Sequence, residues 1–147
     1  MNAKEWLKRG IAHTDEMDKF SNFWKGFNFL FSLENGRTEK DKIKSILNNS
    51  LTEQESSALI QELSKDINIL INSPIIDMRG NGRDTSIDII DYRSNSFSLE
   101  KLKNLFMIIY QIRCNLEHGQ KSPLNSRDKS LVKSSNKFLE KILIKLT

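Results

Sequence analysis

The residues best suited to chemistry lie together in one string, Ile112-Arg113-Cys114-Asn115-Leu116-Glu117-His118-Gly119. Imidazole exchanges protons near neutral pH, which suits general acid–base work. A guanidinium offers a planar fork of donors that matches phosphate. Asn115 donates or accepts beside them. An arginine and a histidine without metal ligands point to one reaction, cleavage of RNA by its own 2′-hydroxyl. The histidine would move protons at that hydroxyl or at the leaving oxygen. The arginine would hold the scissile phosphate and stabilise its charge. DNA lacks the internal nucleophile and would be spared. A purely structural account also stands. Glu117 lies four residues after Arg113, the spacing at which a helix pairs them. His118 at a helix C-terminus complements the negative end of the dipole.

These residues must be positioned by helices. Residues 98–118 carry Leu102, Leu105, Phe106, Ile109, Ile112 and Leu116 in one stripe, yet Met107, Ile108 and Tyr110 are apolar too. A helix apolar nearly all round is buried nearly all round. In so short a chain that predicts a central helix that is also half of a homodimer interface. Arg113 and His118 are five residues apart, about 140° around a regular helix. Two copies crossing antiparallel would bring both residue types into one composite cleft.

The rest of the chain reads as helix. Residues 3–12 carry Trp6, Leu7 and Ile11. Residues 15–33, capped by Thr14, carry Met17, Phe20, Phe23, Trp24, Phe27, Leu30 and Phe31 at spacings of three and four. A short helix spans 38–49. Thr52-Glu53-Gln54-Glu55 has the capping-box form and opens a helix to about 72, ended by Ser73-Pro74. Residues 73–97 are an irregular insertion: Met78-Arg79-Gly80-Asn81-Gly82-Arg83 is turn chemistry, a flexible turn or an RNA-contacting loop. Ile87, Ile89 and Ile90 form an alternating patch that suggests a short strand or an ordered loop. Ser96 or Ser98 caps the 98–118 helix, Gly119 follows its end, and a loop over 119–126 contains Pro123. A last helix, about 126–146, has lysines at 129, 133, 137, 141 and 145 on its solvent face. The expectation is a single all-α domain over 1–147, a bundle of four to five main helices.

Two separated stretches resemble a known family. Arg113 and His118 are similar to the R-x4–6-H motif of HEPN domains. The string Tyr110 to Pro123 resembles a bacterial branch in which R-x-N-L-x-H-G-x-K recurs. Phe23-Trp24-Lys25-Gly26-Phe27-Asn28-Phe29-Leu30-Phe31 resembles that branch near its N-terminus, and Arg127 to Val132 fits as well. The resemblance implies a helical bundle that dimerises through the motif helices. It also implies metal-independent endoribonuclease activity in many members, often in toxin–antitoxin or other bacterial defence systems. Other members are non-catalytic modules that bind a partner protein or nucleotide. Carried over, Arg113 and His118 are the catalytic pair and Asn115 is a supporting polar residue. Independently of the resemblance, Lys121 lies close after His118, within reach of a backbone phosphate. Asn28 would hold the motif helix in place. Cys114 stands where the nucleases carry a polar residue, which favours the module reading. The implied partners are RNA, a second copy through 98–118, and an antitoxin or regulatory protein.

Composition agrees with a globular protein. Of 147 residues, 37% are hydrophobic and 29% charged, which excludes a disordered chain. One cysteine, Cys114, excludes a disulfide framework and a cysteine-built zinc site. The two histidines, His13 and His118, are far apart, so no metal or other cofactor is expected. No apolar run approaches the roughly 18 residues of a membrane span. The charged N-terminus has no signal-peptide core, so a cytoplasmic protein is expected. Charge is uneven. Residues 98–147 hold 10 basic and 4 acidic side chains, while 51–97 hold 4 and 8. The basic excess either attracts a polyanion or forms a solvated face.

Overall fold

The computed structural model describes residues 1–118 and 125–147. They are all-α, with eight helices and an isolated antiparallel bridge between Ile76 and Asp84. Among these residues no helix is long and apolar enough to cross a membrane. The chain divides into two compact units, Met1–Ser50 with Val132–Thr147, and Leu51–Leu131.

The first unit contains α1 (Ala3–Ala12), α2 (Glu16–Phe31), α3 (Glu39–Ser50) and most of α8 (Ser126–Leu146). The α2 cap is Asp15, whose carboxylate accepts from the Asp18 amide, rather than Thr14. The predicted aromatic stripe is its core: Phe20 stacks on Trp24 at 6.0 Å, and Phe27 meets Phe31 edge-on at 5.3 Å. Gly10 lets α1 approach α2, since a Cβ there would lie 2.3 Å from the Phe23 ring. Ile11 departs from expectation and is exposed. On α8, Val132, Phe138, Leu139, Ile142 and Leu143 are buried, and the lysines at 129, 133, 137, 141 and 145 are exposed.

The second unit contains α4 (Glu53–Glu62), α5 (Ser64–Ile71), α6 (Ser86–Ser94) and α7 (Ser98–His118). The capping box at Thr52 and Glu55 is formed as predicted. The helix expected from there to residue 72 is instead two, because the backbone at Leu63 leaves helical geometry (φ −105°, ψ 28°). The patch at 87–90 is helix, not strand. Asp84 accepts from the Ser86 amide at 2.9 Å and starts α6; Ile89 turns inward while Ile87 and Ile90 face solvent.

Seven of the apolar side chains of α7 from Leu102 to Ile112 are buried, and α4, α5 and α6 pack against it. The surplus apolar circumference that suggested a dimer interface is covered within the chain. Neither serine caps the start of α7. The Glu53 carboxylate does so from α4, accepting from the amides of Ser98 (2.6 Å) and Leu99 (2.9 Å). Those two bonds hold Glu53 below the ordinary carboxylate range.

Candidate functional site at the end of the long buried helix

The last two turns of α7 carry polar side chains on two different faces. Residues four apart stack on one face, and residues two apart lie about 200° away. Gln111 and Asn115 therefore share one side, and Arg113 and Glu117 the other.

On the open side, Nη1 of Arg113 meets Oε2 of Glu117 at 2.9 Å. The same oxygen lies 3.9 Å from Nε2 of His118. The Arg113 side chain is 24% exposed, and those of Glu117 and His118 about half exposed. Arg113 and His118 therefore reach a common carboxylate oxygen from a single helix. The 140° separation predicted by simple geometry is bridged by the residue between them, without a second copy.

On the opposite side, Asn115 is buried and hydrogen-bonded through both its amide oxygen and its amide nitrogen. Its Oδ1 accepts from the Met78 amide (3.0 Å) and from Gln111 Nε2 (2.9 Å), and its Nδ2 donates to the Ile76 carbonyl (2.9 Å). The expected supporting polar residue is therefore an anchor that ties α7 to the loop before α6. Sequence reasoning missed this, because nothing in the string around Asn115 names a partner nearly forty residues away.

The anchored loop is ordered rather than flexible. Thr85 is buried, and its hydroxyl accepts from the Ile75 amide. Asp77, whose side chain is 2% exposed, accepts from Arg79 Nη2 (2.7 Å), Arg79 Nε, the Arg79 amide and Asn81 Nδ2 (3.1 Å). Gly80 and Gly82 both have φ of +75°, a conformation that side chains strain to adopt. The Arg79 guanidinium holds the Asp77 carboxyl far below the usual carboxylate range. Asp77 in turn pushes Arg79 further up, with smaller contributions from Cys114 and Tyr110 on α7. The turn residues at 78–83 were legible as a turn. What orders them, a buried aspartate two residues before its arginine, was not recognised.

The other expected site residues fall elsewhere. Asn28 is exposed on the solvent stripe of α2 with Lys25 and Phe29, so it is not an amide held among aromatics. The buried amide of that helix is Asn22, which donates to the Asp18 carbonyl at 2.8 Å. Lys121, with Gly119 and Pro123, lies outside the described residues. Cys114 is buried. Arg127 is latched to the carbonyls of Ser73 and Pro74 at 3.0 and 3.1 Å. Among the described residues no group of three His, Cys, Asp or Glu side chains is placed to hold a metal. Compared with family models, curated proteins and solved structures, the chain gives no match.

Proposed function

We propose that the protein is a HEPN-like, metal-independent endoribonuclease whose site is the open face of the last turns of α7. The observation that carries this reading is the shared oxygen of Glu117, which Arg113 and His118 approach from two sides. An RNA phosphate displacing that carboxylate would meet the guanidinium with one oxygen and lie beside the imidazole with another. Neutral His118 would take the proton of the 2′-hydroxyl as that oxygen attacks phosphorus. The bond to the 5′-oxygen breaks, leaving a 2′,3′-cyclic phosphate. The departing oxygen takes a proton from the imidazolium or from water, and Arg113 stabilises the charge on the equatorial oxygens. Asn115 supports the site from behind, by fixing the loop to the helix. The resemblance of the motif strings to HEPN domains supports a role in a bacterial defence or toxin–antitoxin system, with an antitoxin or regulatory protein as partner. A homodimer through 98–118 would meet along this polar turn, since the apolar faces are covered.

A second reading has its own observation. The Arg113–Glu117 pair leaves the guanidinium neutralised at 2.9 Å, as in a non-catalytic helical module that binds a partner protein or nucleotide. Incubation of a mixed RNA pool in EDTA separates the two. Cleavage to 2′,3′-cyclic ends, reduced at least about 100-fold by His118→Ala and Arg113→Ala, is the expected outcome. A folded wild type that leaves RNA intact rejects the nuclease and favours the module.

A further inference from the structure

We propose that the exposed face shared by α1 and α2 binds single-stranded RNA, with Arg9 and Lys25 on neighbouring phosphates and Phe29 stacked on a base. None of these side chains belongs to the α7 turn, so the proposal stands whether or not that turn cuts RNA.

The face is built around Trp6. At Gly26 the two helices lie so close that a Cβ there would stand 3.1 Å from the Trp6 Cβ and 3.2 Å from the Ala3 carbonyl. The missing side chain seats the indole, partly buried, against α2. Two cations gather over that ring. The Arg9 Cζ stands 5.5 Å from its centroid and the Lys25 Nζ 4.9 Å. Two points at those distances from a common centre are at most about 10 Å apart.

Like charges held together need an attraction. The electron-rich face of the indole supplies part of it. Carboxylates supply none. Among the described residues neither cation makes an ion pair, not even Arg9 with Glu5, one turn before it on α1. Both side chains are exposed. A phosphate from solvent reaches them and relieves their repulsion.

The neighbours on α2 decide which anion fits. Asn28 and Phe29 follow Lys25 by three and four residues and share its face. Phe29 is 43% exposed, whereas the other phenylalanines of α2 are buried. It therefore adds nothing to the aromatic core. Asn28 is exposed, and its side-chain amide makes no hydrogen bond among the described residues. Cations for the backbone, an aromatic ring for a base and an amide for a base edge are the means by which single strands are held. In a duplex the bases stack on one another and are closed to Phe29. A lipid surface fits less well, because the indole lies partly buried beneath its cations and cannot insert.

The test uses the full chain and a fluorescent single-stranded RNA with 2′-O-methyl groups, which binds without being cut. Its duplex and vesicles of phosphatidylserine with phosphatidylcholine are the competitors. Arg9→Gln with Lys25→Gln removes both charges and keeps long stems. Phe29→Ala removes the ring alone. Lys44→Gln with Lys65→Gln, at exposed positions of α3 and α5, removes the same charge elsewhere. Melting curves confirm each fold. We expect the single strand to bind more tightly than the duplex. Loss of the Arg9 and Lys25 charges should weaken binding at least about tenfold. It should also lower the slope of log Kd against log salt by about 1.4, the share of two phosphate contacts on a single strand. Phe29→Ala should weaken binding about tenfold with the slope unchanged. The Lys44 and Lys65 control should stay within about twofold of wild type. A merely structural cluster would lower melting temperatures and leave the slope alone. A wild type that binds no single strand, or binds duplex equally well, overturns the proposal. So does wild-type affinity in the Phe29→Ala variant, or a control that loses as much as the Arg9 and Lys25 variant. Vesicle binding that needs Arg9 and Lys25, without RNA binding, assigns the face to lipid instead. RNA cleavage in EDTA with no binding loss in either variant of this face rejects it and leaves the nuclease standing. The expected losses of binding without any cleavage keep the face and reject the nuclease.

Discussion

Asn115 and Arg113 sit two residues apart on one helix, in one polar string, and do opposite things. Asn115 is 6% exposed and spends both its amide oxygen and its amide nitrogen on the loop before α6. Arg113 is about a quarter exposed and meets a carboxylate that a ligand could replace. The helical repeat makes the difference: a step of two residues turns the side chain from the interior to the open face. A polar residue near a motif is thus no guide to its role until its face is known. The inward polar residue is a fastener, and the outward ones pair with one another at the surface.

The largest stability effect should fall on the fastener. Asn115→Ala removes the acceptor of the Met78 amide and the donor to the Ile76 carbonyl, two bonds to backbone near the surface. A loss of about 2 kcal/mol is expected in urea unfolding, with hydrogen exchange at the Met78 amide accelerated before the rest of α7 is affected. His118→Ala, on the open face, should leave unfolding within about 0.5 kcal/mol of wild type. If the two substitutions cost the same, the division of the helix into a fastening face and an open face is wrong.

Much of the architecture was legible because long amphipathic stretches report their own period. The observed α1, α2, α7 and α8 lie within a residue or two of the expected spans, and the lysines of α8 face solvent as the spacing required. What stayed hidden depended on partners far away in the chain. The cap of α7 is a glutamate from α4, 45 residues earlier, and no local pattern announces it. Leu63 falls inside the span expected to be one continuous helix, and its backbone break follows no glycine or proline. Three isoleucines within four residues resembled a strand because they were read without Asp84, whose side chain starts a helix instead. The site was legible as a list of residues. Which of them cooperate depended on the third dimension.

The loop offers a second, smaller contrast with the open turn. Its charge pair is half buried, so removing it should be felt in stability. Asp77→Asn is expected to lower the melting temperature by a few degrees at neutral pH. The sign in acid follows from the depressed carboxyl. A group whose folded value lies below its unfolded value, about 3.9, stabilises the fold above that value. The stabilisation is lost as pH falls through the folded value. The difference in melting temperature between wild type and Asp77→Asn should therefore be constant from about pH 5 upward and close only well below pH 4. A difference that already closes near pH 5 would mean that Arg79 does not hold the carboxylate in solution.

Glu117→Gln is the mildest change and the most discriminating. The pair it removes is exposed, so unfolding should shift by less than about 0.5 kcal/mol. Its effect on RNA separates two roles for one carboxylate. As an occupant of the phosphate position, Glu117 competes with substrate for Arg113, and neutralising it should lower KM by about threefold with kcat unchanged. As the group that orients His118, it supports proton transfer, and neutralising it should lower kcat instead. The distances favour the first role, since Arg113 is at hydrogen-bonding distance from Oε2 while His118 is 3.9 Å away. Unchanged KM and kcat would show that RNA never displaces this carboxylate, and the open face of α7 would lose its claim to be where the phosphate binds.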